Sequence, residues 1–470
     1  MDAVAEMVSK DLEKTYQYQT IPIKISKIIE ELSGKVTSPD RYERYDQLQN
    51  KGNDLRKTRT TTLAEYVIAQ IRGIKGADES GNPNTANERK VFIVDQLKHP
   101  DEIKLLKKVY GNSFYLFGIL STKNERILRL TDTEEISFPN ATSLLDRDED
   151  DPDDHGQKVR KSLQDADFFV RHSSHRYGEC RQSVMRFIAL MLGMPIITPS
   201  VDEYAMYQAY TASLRSSCLS RQVGASIIDP NNHLISTGYN DVPKYEGGLY
   251  GGMNDCHMSG ERCFEREGKK CLNDYHKNKI YDEIIDIIDS EVKVADKRDS
   301  LTKKIKNSKV RNLLEFSRSI HAEMEAILAA GRKGEPVIGS RLYCTTFPCH
   351  NCARHIIASG IKEVYFIEPY EKSLALKLHN DAMTTEENIG DEKVKLIPFE
   401  GVAPSKFSDL FEMKSERKKD GTMIDIATHK AAPQIEEFLD SRVDYESLTV
   451  EYLRESDEDS VRKVMEINPE

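Results

Sequence analysis

The first part of the chain alternates short apolar runs with amphipathic stretches. "KVFIVDQ" (90–96) is an apolar run that ends next to an acid, Asp95, which is typical of a strand. "HPDEIKLLKKVYG" follows with Pro, Asp and Glu at its start and Gly at its end, which predicts a helix. "SFYLFGIL", "ADFFV" and "MPIITP" predict later strands. Strands alternating with helices favour an α/β domain with a doubly wound parallel sheet, which we place at residues 1–200.

A second α/β block begins near residue 201. The pattern predicts a helix in "VDEYAMYQAYTASLRSSC" and two strands, "VGASIID" and "HLISTGYN", joined by a turn. "HAEMEAILAAG" and "CHNCARHIIASG" predict helices, and "SRLYCTT" and "KEVYFIEPY" predict strands. We therefore assign residues 201–415 to a second domain, with an insertion at 241–318, and residues 416–470 to a C-terminal extension.

Charge and composition narrow the class of protein. The 470 residues are 38% hydrophobic and 31% charged, as expected of a soluble globular protein. The net charge of −11 argues against broad nucleic-acid binding, although a local basic groove stays open. The acidic run "DRDEDDPDD" (146–154) is interpreted as a solvated loop. With no apolar run of membrane-spanning length and no secretory pattern at the start, we expect a cytoplasmic protein without a membrane partner.

The strongest chemical signal is a His-x-Glu followed by a Pro-Cys-x-x-Cys. His321, Cys349 and Cys352 supply a set of three zinc ligands, and a catalytic zinc keeps its fourth position for water. Cys-x-x-Cys places two sulfurs on one helical turn, where helix amides stabilise thiolates. Glu323 lies beside this set and suits a proton shuttle. The alternative is a structural zinc site, for which Cys344 could be the fourth ligand.

This order of residues is the signature of zinc-dependent nucleobase deaminases. Within that class, residues 205–385 resemble the deoxycytidylate deaminase family in "SRQVGASI", "STGYNDVP", "HAEMEAI" and "FPCHNCARHIIASGIKEVYF". The resemblance implies a cytidine-deaminase-like α/β/α sandwich, catalytic zinc, and Asn240 in contact with the deoxyribose. An Asn amide can both donate to and accept from a sugar hydroxyl, but a plain turn-forming role for Asn240 stays open.

The first domain loosely resembles P-loop nucleotide kinases, with Asp95 at the position of their acidic strand end. The phosphate-binding G-x-x-x-x-G-K-[ST] is absent from the sequence, so kinase activity is not predicted. A kinase-like domain joined to this deaminase domain resembles the bacterial anti-phage dCTP deaminases. That resemblance implies conversion of dCTP and dCMP to dUTP and dUMP during phage infection, a homo-oligomer, and an inhibitory small RNA as a partner.

Two further groups of residues are candidate ligand sites. Lys372 and Ser373 follow a strand and precede a helix, where they could bind a phosphate or simply start the helix, and Arg221 is a second phosphate candidate. In the insertion, several metal-binding side chains could close a second, structural zinc site or be scattered thiols in a loop: Cys256, His257, Cys263, Cys271 and His276.

The sequence thus predicts a zinc-dependent hydrolase that deaminates free deoxycytidine nucleotides. Three alternatives stay open: a housekeeping dCMP deaminase that supplies dUMP, a deaminase that acts on a base within RNA or single-stranded DNA, and a binding module with an inert centre. The polynucleotide alternative would favour basic and aromatic side chains along a groove, whereas this chain is acidic and has no Trp.

Overall fold

The computed structural model divides the chain into two compact units. Unit 1 comprises residues 1–199 and 400–470, and unit 2 comprises residues 200–399. The structure describes residues 2–76, 89–173, 175–194, 196–250, 261–292, 297–308, 310, 313, 316–370, 373–386, 392–433 and 439–467. Unit 2 therefore ends earlier than the position, 415, that the sequence suggested, and the C-terminal residues from 400 belong to unit 1.

In the described residues, unit 1 contains helices and three small sheets. Its helices are α1 (Asp2–Tyr16), α2 (Ile25–Ser33), α3 (Arg41–Arg56), α4 (Thr62–Lys75), α5 (Pro100–Tyr110), α6 (Lys123–Leu128), α7 (Phe138–Asp150), α8 (Val159–Ser162), α9 (Tyr177–Met191), α16 (Phe407–Phe411) and α17 (Leu439–Met465). Its strands are β1 (Gln19–Lys24), β2 (Lys90–Asp95), β3 (Phe117–Leu120), β4 (Phe168–Arg171), β11 (Gly401–Val402), β12 (Lys418–Lys419) and β13 (Thr422–Met423). They form the sheets β1-β2, β11-β4-β3 and β12-β13.

The parallel pairing expected for this half is present, but not as one sheet. β1 pairs with β2 in parallel, and β3 pairs with β4 in parallel. Among the described residues these pairs belong to separate sheets, β1-β2 and β11-β4-β3, whereas the sequence predicted a single doubly wound sheet. The resemblance to P-loop kinases stays a prediction. Asp95 ends β2, and His99 is the N-cap residue of α5, where it forms a capping box with Glu102.

Two local predictions for unit 1 are wrong. The described residues of "MPIITP" are not in a strand; Ile196 has a φ of 47°, in the left-handed region, and a Pro at 199 cannot donate to a strand ladder. The acidic run 146–154 is not a solvated loop throughout, because α7 continues to Asp150 and Asp151 is buried. Asp148 accepts hydrogen bonds from Gln49 and Lys98 at 2.7 and 2.8 Å, so tertiary partners satisfy this charge.

Unit 2 is a mixed α/β domain built on a six-stranded sheet in the order β6-β5-β7-β8-β10-β9. Its strands are β5 (Gly224–Ile228), β6 (Leu234–Tyr239), β7 (Arg341–Thr346), β8 (Glu363–Glu368), β9 (Met383–Thr384) and β10 (Val394–Pro398). Its helices are α10 (Val201–Ser213), α11 (Leu272–Val292), α12 (Arg298–Lys306), α13 (Ala322–Lys333), α14 (His350–Ala358) and α15 (Ala375–Leu378). The predicted order of strands and helices from β5 to β8 is confirmed.

Glycines on β5 and β6 let helices approach this sheet closely. A Cβ at Gly238 would lie 2.3 Å from the carbonyl oxygen of Ala322 and 2.4 Å from the amide nitrogen of Ala326, both in α13. A Cβ at Gly224 would lie 1.9 Å from the carbonyl oxygen of Ala209 in α10. Because Gly238 has no side chain, the first turns of α13 can lie directly against β6. Among the described residues, no helix has both the length and the apolar character needed to cross a membrane.

Candidate metal and active site

Two helix starts bring the predicted zinc ligands together. His321 is the N-cap residue of α13, and Cys349 is the N-cap residue of α14, with Cys352 in the first turn of that helix. Both caps have extended backbone angles, φ −81° and ψ 154° at His321 and φ −73° and ψ 167° at Cys349. Pro348 stands one residue before the cap, a position that needs no amide donor to the helix.

The three side chains have the geometry of a zinc site. The Nδ1 atom of His321 lies 3.3 Å from the Sγ atom of Cys349 and 3.3 Å from that of Cys352. Tetrahedral zinc, with usual bond lengths to nitrogen and sulfur, would separate such atoms by about 3.5 Å. All three ligand atoms lie within 4.8 Å of one another, and both cysteines are buried. The residues present therefore fit the metal through Nδ1 and two sulfurs.

The pKa values of His321, Cys349 and Cys352 suit a site where a metal ion displaces protons. The hydrogen bond with Cys352 lowers the pKa of Cys349 to about 4. The same bond, together with burial, keeps the pKa of the Cys352 thiol well above its ordinary value. Burial alone would lower the pKa of His321, but the hydrogen bond and charge of Cys349 raise it to about 9. A zinc ion that binds here replaces the protons held by these side chains.

Glu323 lies beside this group in the first turn of α13. Its side chain is only 4% exposed, and burial followed by the charge of Cys349 raises its pKa. A buried carboxyl with a raised pKa can both accept and return a proton near neutral pH. The predicted proton carrier is therefore placed beside the predicted ligands.

Cys344 does not complete a four-ligand site. It is fully buried on β7, and burial raises its pKa well above its ordinary value. Within the described ranges, the one group of three or more metal-binding side chains is His321, Cys349 and Cys352. A set of three, with Glu323 beside it, is the arrangement that leaves a coordination position open for water.

Asn240 is engaged with the backbone of a neighbouring loop. Its Oδ1 accepts a hydrogen bond from the amide of Val223 at 2.8 Å, and its Nδ2 donates to the carbonyl of Arg221 at 2.8 Å. The side chain is buried, and it holds the 221–223 backbone against the end of β6. The predicted contact with a deoxyribose is untested and would have to be made alongside these bonds.

The phosphate candidates have different surroundings. Arg221 pairs with Glu368 at the end of β8. Ser373 donates to the carbonyl of Pro348 at 2.8 Å and accepts from the amide of Ala375 at 3.2 Å, so it caps α15 and supports the turn before Cys349. This bonding favours the helix-start interpretation of Ser373. Lys372 lies outside the described residues.

The candidate second metal site is only partly described, because Cys256 and His257 lie outside the described residues. Burial raises the pKa of Cys263, the charge of Arg318 opposes this, and the charges of Cys218 and Cys271 raise the pKa further. His276 packs its ring against Phe316, 5.6 Å between ring centroids. None of these residues joins a three-ligand group among the residues described.

Sequence reasoning missed two residues beside the site. Cys218 is close enough to His321 and Cys263 to act on both electrostatically, and its position just before "SRQVGASI" was the signal that could have found it. Tyr370 was also missed: burial raises its pKa, the charge of Cys349 raises it further, and Arg221 opposes this. Its place in "IEPY", directly after β8, was the available signal.

Comparisons with known proteins assign this constellation to a zinc-dependent deaminase domain. A family model described as "Cytidine and deoxycytidylate deaminase zinc-binding region" matches residues 199–368. The deoxycytidylate deaminase of Enterobacteria phage T4 is 33% identical over 165 residues, which cover 35% of this chain and 76% of that one. The deoxycytidylate deaminase of Saccharomyces cerevisiae is 24% identical over 285 residues, which cover 57% of this chain and 73% of that protein.

A crystal structure of the dCMP deaminase of cyanophage S-TIM5 with dCMP and dUMP also matches. The match covers 43% of this chain and 100% of that one, at 19% identity and a TM-score of 0.26. On the sequence matches, the chain belongs to the deoxycytidylate deaminase family. It is a hydrolase with a zinc-binding deaminase domain.

Proposed function

We propose that the protein hydrolyses the 4-amino group of free deoxycytidine nucleotides, converting dCMP and dCTP to dUMP and dUTP with release of ammonia. The observation that carries this proposal is the buried Glu323 carboxyl beside the three ligands His321, Cys349 and Cys352 in a chain of this family. The names of the T4 and yeast relatives support a deoxycytidylate substrate.

His321, Cys349 and Cys352 would hold the zinc ion, which when bound supplies a Lewis acid that makes water nucleophilic near neutral pH. Glu323 accepts a proton from the water as the water oxygen bonds to C4 of the base. The same carboxyl delivers this proton to N3, then takes the remaining proton from the new C4 hydroxyl and gives it to the amine, so the C4–N bond breaks and ammonia leaves. Burial of Glu323 keeps bulk water from intercepting these protons.

The test is ammonia release from a panel of dCMP, dCTP, CMP, CTP and single-stranded DNA. We expect turnover of the deoxynucleotides and its loss in Glu323→Ala, with Glu335→Ala, an exposed residue just after α13, as the matched control. Deamination of the oligonucleotide but not of free nucleotides would favour the polynucleotide alternative. Unchanged turnover in Glu323→Ala would contradict the mechanism.

We also propose dCTP as a substrate, and depletion of cytosine nucleotides during phage infection as the biological outcome. A chain that joins unit 1 to a deaminase unit resembles the anti-phage deaminases, and this resemblance supports the proposal. The same resemblance suggests a homo-oligomer and an inhibitory small RNA. Cells that carry wild-type protein or Glu323→Ala are infected, and their dCTP and dCMP pools are compared. Loss of dCMP alone, with or without infection, would favour the housekeeping alternative.

Light scattering and nuclease treatment of the purified protein test the two proposed partners. A homo-oligomer predicts a mass above that of one 53.6 kDa chain. An inhibitory RNA predicts that nuclease raises turnover, and unchanged turnover would contradict that partner.

We further propose a second, structural zinc in the insertion. The thiols of Cys218 and Cys271 both act electrostatically on Cys263, and this supports a shared site. Elemental analysis of the full chain is expected to give two zinc ions, falling to one in Cys263→Ser, with Cys180→Ser as a control thiol in unit 1. One zinc per wild-type chain would contradict this proposal.

A further inference from the structure

An ion pair lies at the edge of the sheet that carries the metal ligands. Glu368 is the last residue of β8, and its carboxylate pairs with the guanidinium of Arg221. The hydroxyl of Thr346, the last residue of the neighbouring strand β7, donates to the same carboxylate at 3.4 Å. The Arg221 side chain is 40% exposed and that of Glu368 is 20% exposed, so a ligand arriving from solvent can reach the cation.

Hydrogen bonds to backbone carbonyls connect both members of this ion pair to segments that adjoin the metal-binding group. Asn240 holds the carbonyl of Arg221, as described above. The carbonyl of Glu368 accepts a hydrogen bond from the amide of Phe347 at 2.8 Å, two residues before the ligand Cys349. Tyr370, two residues after Glu368, is acted on by the charges of both Cys349 and Arg221. These hydrogen bonds connect the ion pair to the backbone held by Asn240 and to the turn that precedes Cys349.

We propose that Glu368 is a specificity-determining residue whose carboxylate competes with the 5′-phosphate of the substrate for Arg221. This inference rests on the proposed function. A phosphate group binds a guanidinium through the same kind of donors as a carboxylate does, so a phosphate that approaches Nη2 of Arg221 competes with Glu368 for it. Each further phosphate adds negative charge near the displaced carboxylate, and Glu368 therefore favours the monophosphate over the triphosphate.

Glu368→Gln removes the competing charge and keeps the shape. We expect the KM for dCMP to fall about 2- to 5-fold, the range set by a half-exposed ion pair. The KM for dCTP falls more than that for dCMP, and the KM for unphosphorylated deoxycytidine is unchanged. The matched control is Glu363→Gln at the opposite end of β8, where the carboxylate accepts from the Tyr365 hydroxyl at 3.0 Å.

A double-mutant comparison isolates the pair. In an Arg221→Ala background, Glu368→Gln should no longer change the KM for either nucleotide, because the shared cation is gone. An unchanged or raised KM for dCMP in Glu368→Gln alone would overturn the inference, and a raised KM would mean that Glu368 instead orients Arg221 towards the phosphate. Zinc content and circular dichroism establish that each variant is folded.

Binding without turnover separates this inference from the proposed function. Calorimetry in the Glu323→Ala background gives the Kd values of dCMP, dCTP and deoxycytidine with and without Glu368→Gln. If wild-type protein releases no ammonia but Glu368→Gln tightens nucleotide binding, the proposed function fails and the competition stands. If wild-type protein turns over dCMP and Glu368→Gln leaves the Kd values unchanged, the competition fails alone. Absence of dCMP binding overturns both.

Discussion

At the scale of single residues, the active centre depends on short-range order in the sequence. His321 and Cys349 cap helices that directly follow them, so their identity and placement are visible in the sequence. The partners of Asn240 are different, because its two bonds go to the backbone of Val223 and Arg221, which lie 17 and 19 residues away in the sequence. What Asn240 does therefore depends on the pairing of β5 with β6, which a residue type alone does not specify.

The first prediction separates metal binding from proton transfer. Glu323→Gln should keep the zinc ion and lose about 10²- to 10⁴-fold in kcat, because an amide cannot carry the proton. Cys352→Ser should lose the zinc itself, because the metal loses a thiolate ligand. Elemental analysis and ammonia release measure the two effects on the same samples. Loss of zinc from the Glu323→Gln variant would mean that Glu323 is needed to bind the metal.

The second prediction concerns Asn240 as a positioning residue. Asn240→Ala removes the bonds to the Arg221 carbonyl and the Val223 amide, so the loop 220–223 should exchange its amide hydrogens faster. The KM for dCMP should rise more than that for deoxycytidine, because Arg221 is no longer held. Hydrogen exchange and steady-state kinetics give the two readouts. Equal rises for both substrates would favour a direct sugar contact.

Some residues beside the candidate site could be predicted from the sequence and others could not. The grouping of His321, Cys349 and Cys352, with Glu323 nearby, could be predicted because one motif carries all four residues. The roles of Cys218, Tyr370 and Glu368 come from side chains that the fold brings together from separate strands and loops. Cys, Tyr and Glu occur in proteins for many reasons, so only the contacts made in the folded chain identify these three residues.

At the scale of elements, glycine and buried charge decide two local structures. Gly238 lies against the first turns of α13, where a methyl group would meet backbone atoms that cannot move independently of the helix. In unit 1, Asp151 follows α7 and accepts hydrogen bonds from Asn53 at 2.9 Å and Arg147 at 3.1 Å. The sequence predicted α5 from its caps, but it missed the end of α7, where the partner Asn53 is distant in sequence.

The third prediction moves α13 away from the sheet. Gly238→Ala should displace the start of this helix, and with it His321, so that zinc affinity falls while the ligand set is unchanged. Gly331→Ala, inside the same helix with open space around it, is the control and should keep full zinc affinity. Competition with a zinc chelator measures the difference. Equal affinity in both variants would show that α13 tolerates the displacement.

The fourth prediction is a pH-dependent contribution of Asp151 to the stability of unit 1. Burial alone would raise the pKa of Asp151, but hydrogen bonds from the Asp153 amide, Asn53 and Arg147 lower it below its ordinary value. A lowered folded-state pKa stabilises the fold above the unfolded-state pKa of about 3.9, and this stabilisation is lost as the pH falls through the folded-state value.

Asp151→Ala should therefore lower the free energy of unfolding by about 1–3 kcal/mol at pH 7, because buried donors lose their acceptor. The loss should shrink as the pH falls below about 4, where the unfolded-state carboxyl takes up a proton, and it should be smallest below the lower folded-state pKa. Asp153→Ala is the control, because its contribution to the network comes from the backbone amide. Denaturant melts at several pH values measure the effect, and a loss that is independent of pH would contradict the role of the charge.

At the scale of the whole molecule, the two units differ in how the chain builds them. Unit 2 is one continuous segment, and its core joins β5, β7, β8, α13 and α14. Unit 1 is built from two segments, because Val450, Leu453 and Val464 of α17 pack in the core formed by α2 and α4. Such long-range packing was outside what sequence patterns predict, which is why residues 416–470 were assigned to a separate extension.

The fifth prediction follows from this arrangement. Residues 200–399 expressed alone should fold and retain the zinc ion, because the core and all three ligands lie within that segment. Residues 1–199 alone should not unfold cooperatively, because they lack Val402 and Leu410 from one core and the α17 side chains from the other. Joining residues 1–199 to 400–470 through a flexible linker should restore a single cooperative transition. Thermal melts followed by circular dichroism test all three fragments, and a cooperative transition for 1–199 alone would mean that the returning segment contributes little to the stability of unit 1.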